Sequence, residues 1–132
     1  MGEPFQWDSA SLGLGIEAMD EQHRKLISLM NRLQDLSVSG ESAGISTILR
    51  ELYNFTIYHF REEEIYMESI SYPDFEGHRY VHKDLLRRLE GYTVDFEKTG
   101  VLNQEIFDFL VLWLTAHIRM MDTRYSEFSR EK

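Results

Sequence analysis

Apolar residues recur at three-then-four spacing through four long segments of the chain, broken only at Ser37 to Gly44, at Ser71-Tyr72-Pro73 and at Thr99-Gly100. This spacing lays an apolar stripe along one side of a helix. The breaks carry the Gly, Pro and Ser that end helices. The pattern predicts helices over 16–36, 45–70, 74–98 and 103–127. The first stripe reads Ile16, Met19, His23, Leu26, Met30, Leu33, and the second Ile45, Leu49, Leu52, Thr56, His59, Glu63, Tyr66, Ile70. The third reads Phe75, His78, His82, Leu85, Leu89, Tyr92, Phe96. The fourth reads Ile106, Leu110, Trp113, His117, then Met120 or Met121, and Phe128. Four one-faced helices with short connections bury their stripes best against one another. The expected fold is all-α: an up-down-up-down antiparallel four-helix bundle over 16–130 behind a short N-terminal arm, 1–15. No linker or repeat divides the 132 residues, so a single domain is expected.

The stripes contain every histidine of the chain: His23, His59, His78, His82 and His117. Each stands where a core leucine would otherwise be, and a buried imidazole needs partners for its nitrogens. Their depths agree. His23 precedes the first break, and His59 follows it, by roughly 20 Å of helix. Across the second break Glu63 faces His78, with His59 and His82 one turn deeper. Across the third, His82 and His117 are about equidistant. Taken alone, an i, i+4 pair such as His78 and His82 is more often solvent-facing than ligating, and the shared layer reverses that expectation.

Composition narrows the chemistry. With no cysteine, thiolate sites and iron–sulfur clusters are excluded. A net charge of -9 argues against nucleic acid or an anionic membrane as partner. No stretch is apolar enough to span a bilayer, and the start shows no signal sequence, so a cytoplasmic protein is expected. Glu62 and Glu64 read as a solvated face, whereas Glu63 lies on the stripe. Asp122 is five residues beyond His117, about 140° around an ideal helix, and reaches the same layer only through a favourable rotamer or a local distortion. Asp20 either caps the first helix or orients a histidine.

Five imidazoles and two carboxylates exceed the four ligands of a tetrahedral zinc and suit a pair of metals. If both carboxylates bridge two octahedral ions and one oxide or hydroxide bridges as well, one coordination position remains open. Mixed nitrogen and oxygen ligation with an open position favours iron over calcium or magnesium.

Several motifs together resemble the hemerythrins, most closely the single-domain bacterial form. They are Asp20-Glu21-Gln22-His23, His59-Phe60-x-x-Glu63-Glu64-x-Tyr66-Met67, His78-x3-His82 and Trp113-x3-His117-Ile118-x3-Asp122, with Trp7-Asp8 in the arm. The resemblance implies that His78, His82 and His117 bind one iron, that His23 and His59 bind the other, and that Glu63 and Asp122 bridge. It further implies that O2 binds end-on at the two-histidine iron and is held as hydroperoxide. Leu26, Phe60, Trp113, Leu114 and Ile118 would form an apolar O2 pocket, although Leu26, Phe60 and Trp113 are core residues under any reading.

Reversible O2 binding for storage, delivery or scavenging is therefore the expected function, with two iron ions and a bridging oxide or hydroxide as cofactor and no enzyme activity. The site has no spare histidine or stripe acid to protonate bound peroxide, which disfavours turnover. A di-iron oxidase or ferroxidase is the first alternative, but such bundles use Glu-x-x-His motifs and none occurs here. The second is a module sensing O2, redox state or nitric oxide through a separate protein partner, since 132 residues leave no room for an effector.

Overall fold

The computed structural model describes residues 13–131, and the arm with its Trp7-Asp8 lies outside them. Its helices are α1 (Glu17–Ser39), α2 (Ser42–Ser69), α3 (Phe75–Thr99), α4 (Glu105–Ala116) and α5 (Thr123–Glu131), with a π-helical segment, His117–Asp122, joining α4 to α5 in one continuous rod. No strand occurs among the described residues. Helix α1 packs on α2 and α2 on α3, while α4 closes the bundle against α1 and α3. No described helix is long and apolar enough to cross a membrane.

The first connection is shorter than the break in the pattern suggests. Helix α1 continues to Ser39 and stops at Gly40, whose φ of 74° and N–H bond to the Leu36 carbonyl (3.0 Å) make a left-handed C-cap. Helix α2 then starts at Ser42, so Gly44 is helical rather than part of a loop. A Cβ at Gly44 would stand 3.1 Å from Leu36 Cδ2, and its absence lets α2 pass close over the end of α1.

Down to His117 the stripes supply most of the core, although Ile16, Tyr66, Ile70, Phe75 and Tyr92 are only half-buried and Met67, beside the second stripe, is fully buried. Leu26, Leu33, Leu49, Leu52, Leu89, Ile106 and Leu110 are all buried, each of which stabilises the fold by about 1.5–3 kcal/mol. Beyond His117 the α-helical period fails. In a π-helix the backbone bonds run from i to i+5, and the Thr123 N–H accordingly bonds to the Ile118 carbonyl. The extra residue turns Met120 out to solvent, at 61% exposed, and leaves Met121 half-buried. Asp122, Tyr125 and Ser126 take the inward face instead. The fourth stripe thus continues through these three rather than through Met120 or Met121.

Asp20 takes neither of the roles expected for it. Its carboxylate accepts the N–H groups of Leu14 (2.8 Å) and Gly15 (3.2 Å), ahead of the helix rather than inside it. Ser126 Oγ and Arg130 donate to the Leu14 carbonyl at 2.6 and 3.2 Å. Leu14 is thereby tied to both α1 and α5, across the end of the bundle that holds the histidines.

Candidate metal centre

All five histidines are buried, and their Nε2 atoms converge on Glu63 and Asp122, both of which are fully shielded from solvent. Helix α1 contributes His23, α2 contributes His59 and Glu63, and α3 contributes His78 and His82. The π segment contributes its first and last residues, His117 and Asp122. In an α-helix these two would diverge. In the π turn they meet, with His117 Nε2 3.1 Å from Asp122 Oδ1.

Each carboxylate divides its two oxygens between two groups of histidines. Glu63 Oε1 lies 3.0 Å from His82 Nε2, while Oε2 lies 3.4 Å from His23 Nε2 and 3.5 Å from His59 Nε2. Asp122 Oδ1 lies 2.9 Å from His78 Nε2, while Oδ2 lies 3.2 Å from His23 Nε2. Two overlapping groups result, His78, His82 and His117 at one end and His23 and His59 at the other, with Glu63 and Asp122 common to both.

The donor set fits cations better than it fits itself. His117 Nε2 is 3.0 Å from His78 Nε2 and 3.1 Å from His82 Nε2, and one proton can sit in only one such gap. Glu63 Oε1 and both oxygens of Asp122 are buried with no formed hydrogen bond, although imidazole nitrogens stand close by. Buried acceptors in this state cost the fold several kcal/mol, at roughly 1–3 kcal/mol each and more when charged. A metal ion at each end would take up these lone pairs at once.

Side chains behind the imidazoles fix which nitrogen faces in. His59 Nδ1 is 2.7 Å from Gln22 Oε1, and His82 Nδ1 is 2.9 Å from Glu64 Oε2. An oxygen can only accept, so Nδ1 carries the hydrogen and the Nε2 lone pair is left for a metal. Glu64 is therefore not the solvated residue that its charge run suggests. Tyr125, fully buried, donates its hydroxyl to Glu63 Oε2 at 2.8 Å. Its phenol is pushed well above the ordinary range by burial and then by the Glu63 and Asp122 charges. No stripe marks Gln22 or Glu64, and Tyr125 is hidden by the change of period.

Phe60 closes the site from α2. Its ring stacks on His82 with centroids 3.8 Å apart and planes 3° from parallel, and it tilts toward Trp113 (5.7 Å) and His117 (5.9 Å). Leu26, Trp113, Leu114 and Ile118, the other expected pocket residues, are likewise buried.

Without metal, protons stand in for part of the missing charge. For His23 burial opposes protonation, but Asp122 and Glu63 outweigh it and raise the pKa to about 9. For His82 burial is outweighed by Glu63 and Glu64, again giving about 9. Both exceed the ordinary 6.5, so their contribution to the stability of the metal-free fold is complete below about pH 6.5 and is lost as pH rises through about 9. His59, lowered to about 3 by burial, has the opposite sign, and stability falls as pH drops from 6.5 toward 3. Urea denaturation of chelator-stripped protein is expected to show greatest stability near neutrality and a decline toward about pH 9. Stability that holds level or rises across that alkaline interval would contradict the assignment of these protons.

A four-helix bundle with imidazoles and shared carboxylates buried at its centre defines a cation-binding helical protein. The model of the hemerythrin HHE cation binding domain matches residues 14–128, and the chain belongs to the hemerythrin family. It is 33% identical over 119 residues to the bacteriohemerythrin of Pseudomonas aeruginosa (strain LESB58), covering 90% of this chain and 78% of that one. To myohemerythrin-1 of Phascolopsis gouldii it is 31% identical, covering 93% of this chain and 92% of the relative. A crystal structure of wild-type hemerythrin superposes with a TM-score of 0.87 at 27% identity, over 93% of this chain and 95% of the other.

Proposed function

We propose that this protein binds O2 reversibly at a pair of irons, for storage, delivery or scavenging in the cytoplasm. The reading rests most on one observation: each of two buried carboxylates presents one oxygen to a three-histidine group and the other to a two-histidine group. His78, His82 and His117 would hold one iron and His23 and His59 the other, with Glu63 and Asp122 bridging them. An oxide or hydroxide would complete the bridge. When bound, the iron pair would supply two electrons to O2 and take them back on its release.

The chain's own part is to orient and to exclude. Gln22 and Glu64 hold imidazoles with Nε2 inward. Tyr125 keeps its proton, donating a hydrogen bond to Glu63 without serving as an acid. Leu26, Phe60, Trp113, Leu114 and Ile118 would keep water from the oxygen. Members of the family are oxygen-binding proteins rather than enzymes, and a site without a ready acid accords with that.

Leu114 tests the pocket. It is fully buried on α4, three residues before His117. Escape of oxygen as hydrogen peroxide needs water and a proton, and apolar walls slow both. Leu114→Ala opens space, and Leu114→Asp adds a proton carrier. Both are expected to shorten the lifetime of the oxygenated protein in air, Asp more than Ala, with iron content unchanged. Decay of the visible absorption, with iron assayed alongside, measures this. Decay as slow as the parent's in both variants would make Leu114 a packing residue only.

A further inference from the structure

Two of the imidazoles, His59 and His82, are held from behind by groups of different charge. His59 Nδ1 meets the neutral amide of Gln22 at 2.7 Å, and His82 Nδ1 meets the carboxylate of Glu64 at 2.9 Å. The two acceptors orient their rings in the same way, Nδ1 outward and Nε2 toward Glu63. They differ in what they do to the ring. A carboxylate draws the Nδ1 proton toward itself and leaves Nε2 richer in electrons, whereas an amide does so far less. Glu64 is 26% exposed, so water screens its charge only in part. Among the described residues no lysine or arginine stands within ion-pair distance of Glu64 to neutralise it. The asymmetry also runs with the histidine count, since His82 belongs to the three-histidine end and His59 to the two-histidine end.

We infer that Glu64 is a positioning residue that sets the two ends of the centre apart, its charge making His82 the stronger donor so that the three-histidine end binds a divalent cation more tightly than the end backed by Gln22. The inference rests on the metal-centre reading above. A metal at the carboxylate-backed end is also held more firmly in its oxidised state, because the added electron density favours the higher charge. Gln22 leaves the other end the weaker one, where loss of a metal would begin.

The test uses the full chain, stripped with a chelator and refilled with Co(II), whose visible bands report occupancy and whose affinity is read by chelator competition. The parent is expected to take two equivalents, the first more tightly. Glu64→Gln keeps an oxygen where Nδ1–H needs one and removes only the charge. It is expected to weaken the first equivalent by on the order of 10-fold, the lower end of what loss of such a partner does. Glu64→Ala, lacking charge and acceptor, is expected to weaken it further. Gln22→Glu is expected to strengthen the second equivalent and narrow the gap. In the iron-loaded protein, Glu64→Gln is expected to shift the reduction potential to more positive values. If Glu64→Gln matches the parent in both Co(II) affinities and in potential, Glu64 orients the ring and nothing more, and the inference is overturned. A parent that takes up fewer than two Co(II) overturns the metal-centre reading itself, a result distinct from a two-Co(II) parent with an indifferent Glu64→Gln.

Discussion

Removal of metal is expected to lower the melting temperature at neutral pH by roughly 10–20 °C. The estimate follows from about 3–5 kcal/mol for leaving buried charge uncompensated, at about 3–4 °C per kcal/mol for a chain of this size. The cause is the depth of the centre. Five imidazoles and two carboxylates sit in the core, with oxygens of Glu63 and Asp122 that no hydrogen bond reaches. The loss is not larger because His23 and His82 take protons at neutral pH and offset the two carboxylates. Glu63 and Asp122 are in turn held well below the usual carboxylate range: burial opposes this in both, and the Asp122 charge opposes it in Glu63, but the neighbouring histidines prevail. Those protons leave as pH rises, so the gap between loaded and stripped protein should widen from about pH 6.5 to about pH 9. Calorimetry of both forms across that interval checks the claim. Equal melting temperatures for the two would mean that the centre is structural without metal.

Replacing Glu63 is expected to abolish the paired site, whereas replacing His23 is expected to spare half of it. Glu63 faces His82 with one oxygen and His23 and His59 with the other, so Glu63→Ala takes a ligand atom from both ends. It also strands the buried hydroxyl of Tyr125. Glu63→Gln separates these effects, since it preserves volume and an acceptor for Tyr125 but lacks the charge that two cations require. Both variants should hold well under two metals per chain, with Glu63→Ala also losing about 3–5 kcal/mol of stability in the metal-free state. His23→Ala leaves His78, His82, His117, Glu63 and Asp122 in place and should retain about one. Elemental analysis of folded protein decides the matter. Two metals in Glu63→Gln and none in His23→Ala would reverse the assignment of bridging and terminal roles.

The sequence revealed the parts of this centre that obey a helical period. His23, His59, Glu63, His78, His82 and His117 occupy stripe positions, and a stripe position is one that burial enforces, so their common layer could be read from the spacing of the breaks. Asp122 lay off the period by about 140°. The π segment removes that difficulty, at the cost of displacing Met120 and admitting Tyr125 and Ser126, a shift that no α-helical pattern foretells. Gln22 and Glu64 escaped for another reason. Each stands one residue beside a stripe position, where a side chain is half exposed and reaches sideways to the neighbouring helix, and periodicity reports burial without reporting reach. Asp20 was visible as a capping residue by type, but its partners Leu14 and Gly15 lie in irregular chain that carries no period at all.

Reversible O2 binding at a paired metal site is tested most directly by one optical experiment. Protein containing two irons per chain is reduced under inert gas, its visible spectrum recorded, air admitted, and oxygen then withdrawn. An almost colourless reduced form is expected, with a visible band that rises with air and is lost on deaeration, repeatably over several cycles. A spectrum indifferent to air, or one that changes once and does not return while both irons stay bound, would contradict it.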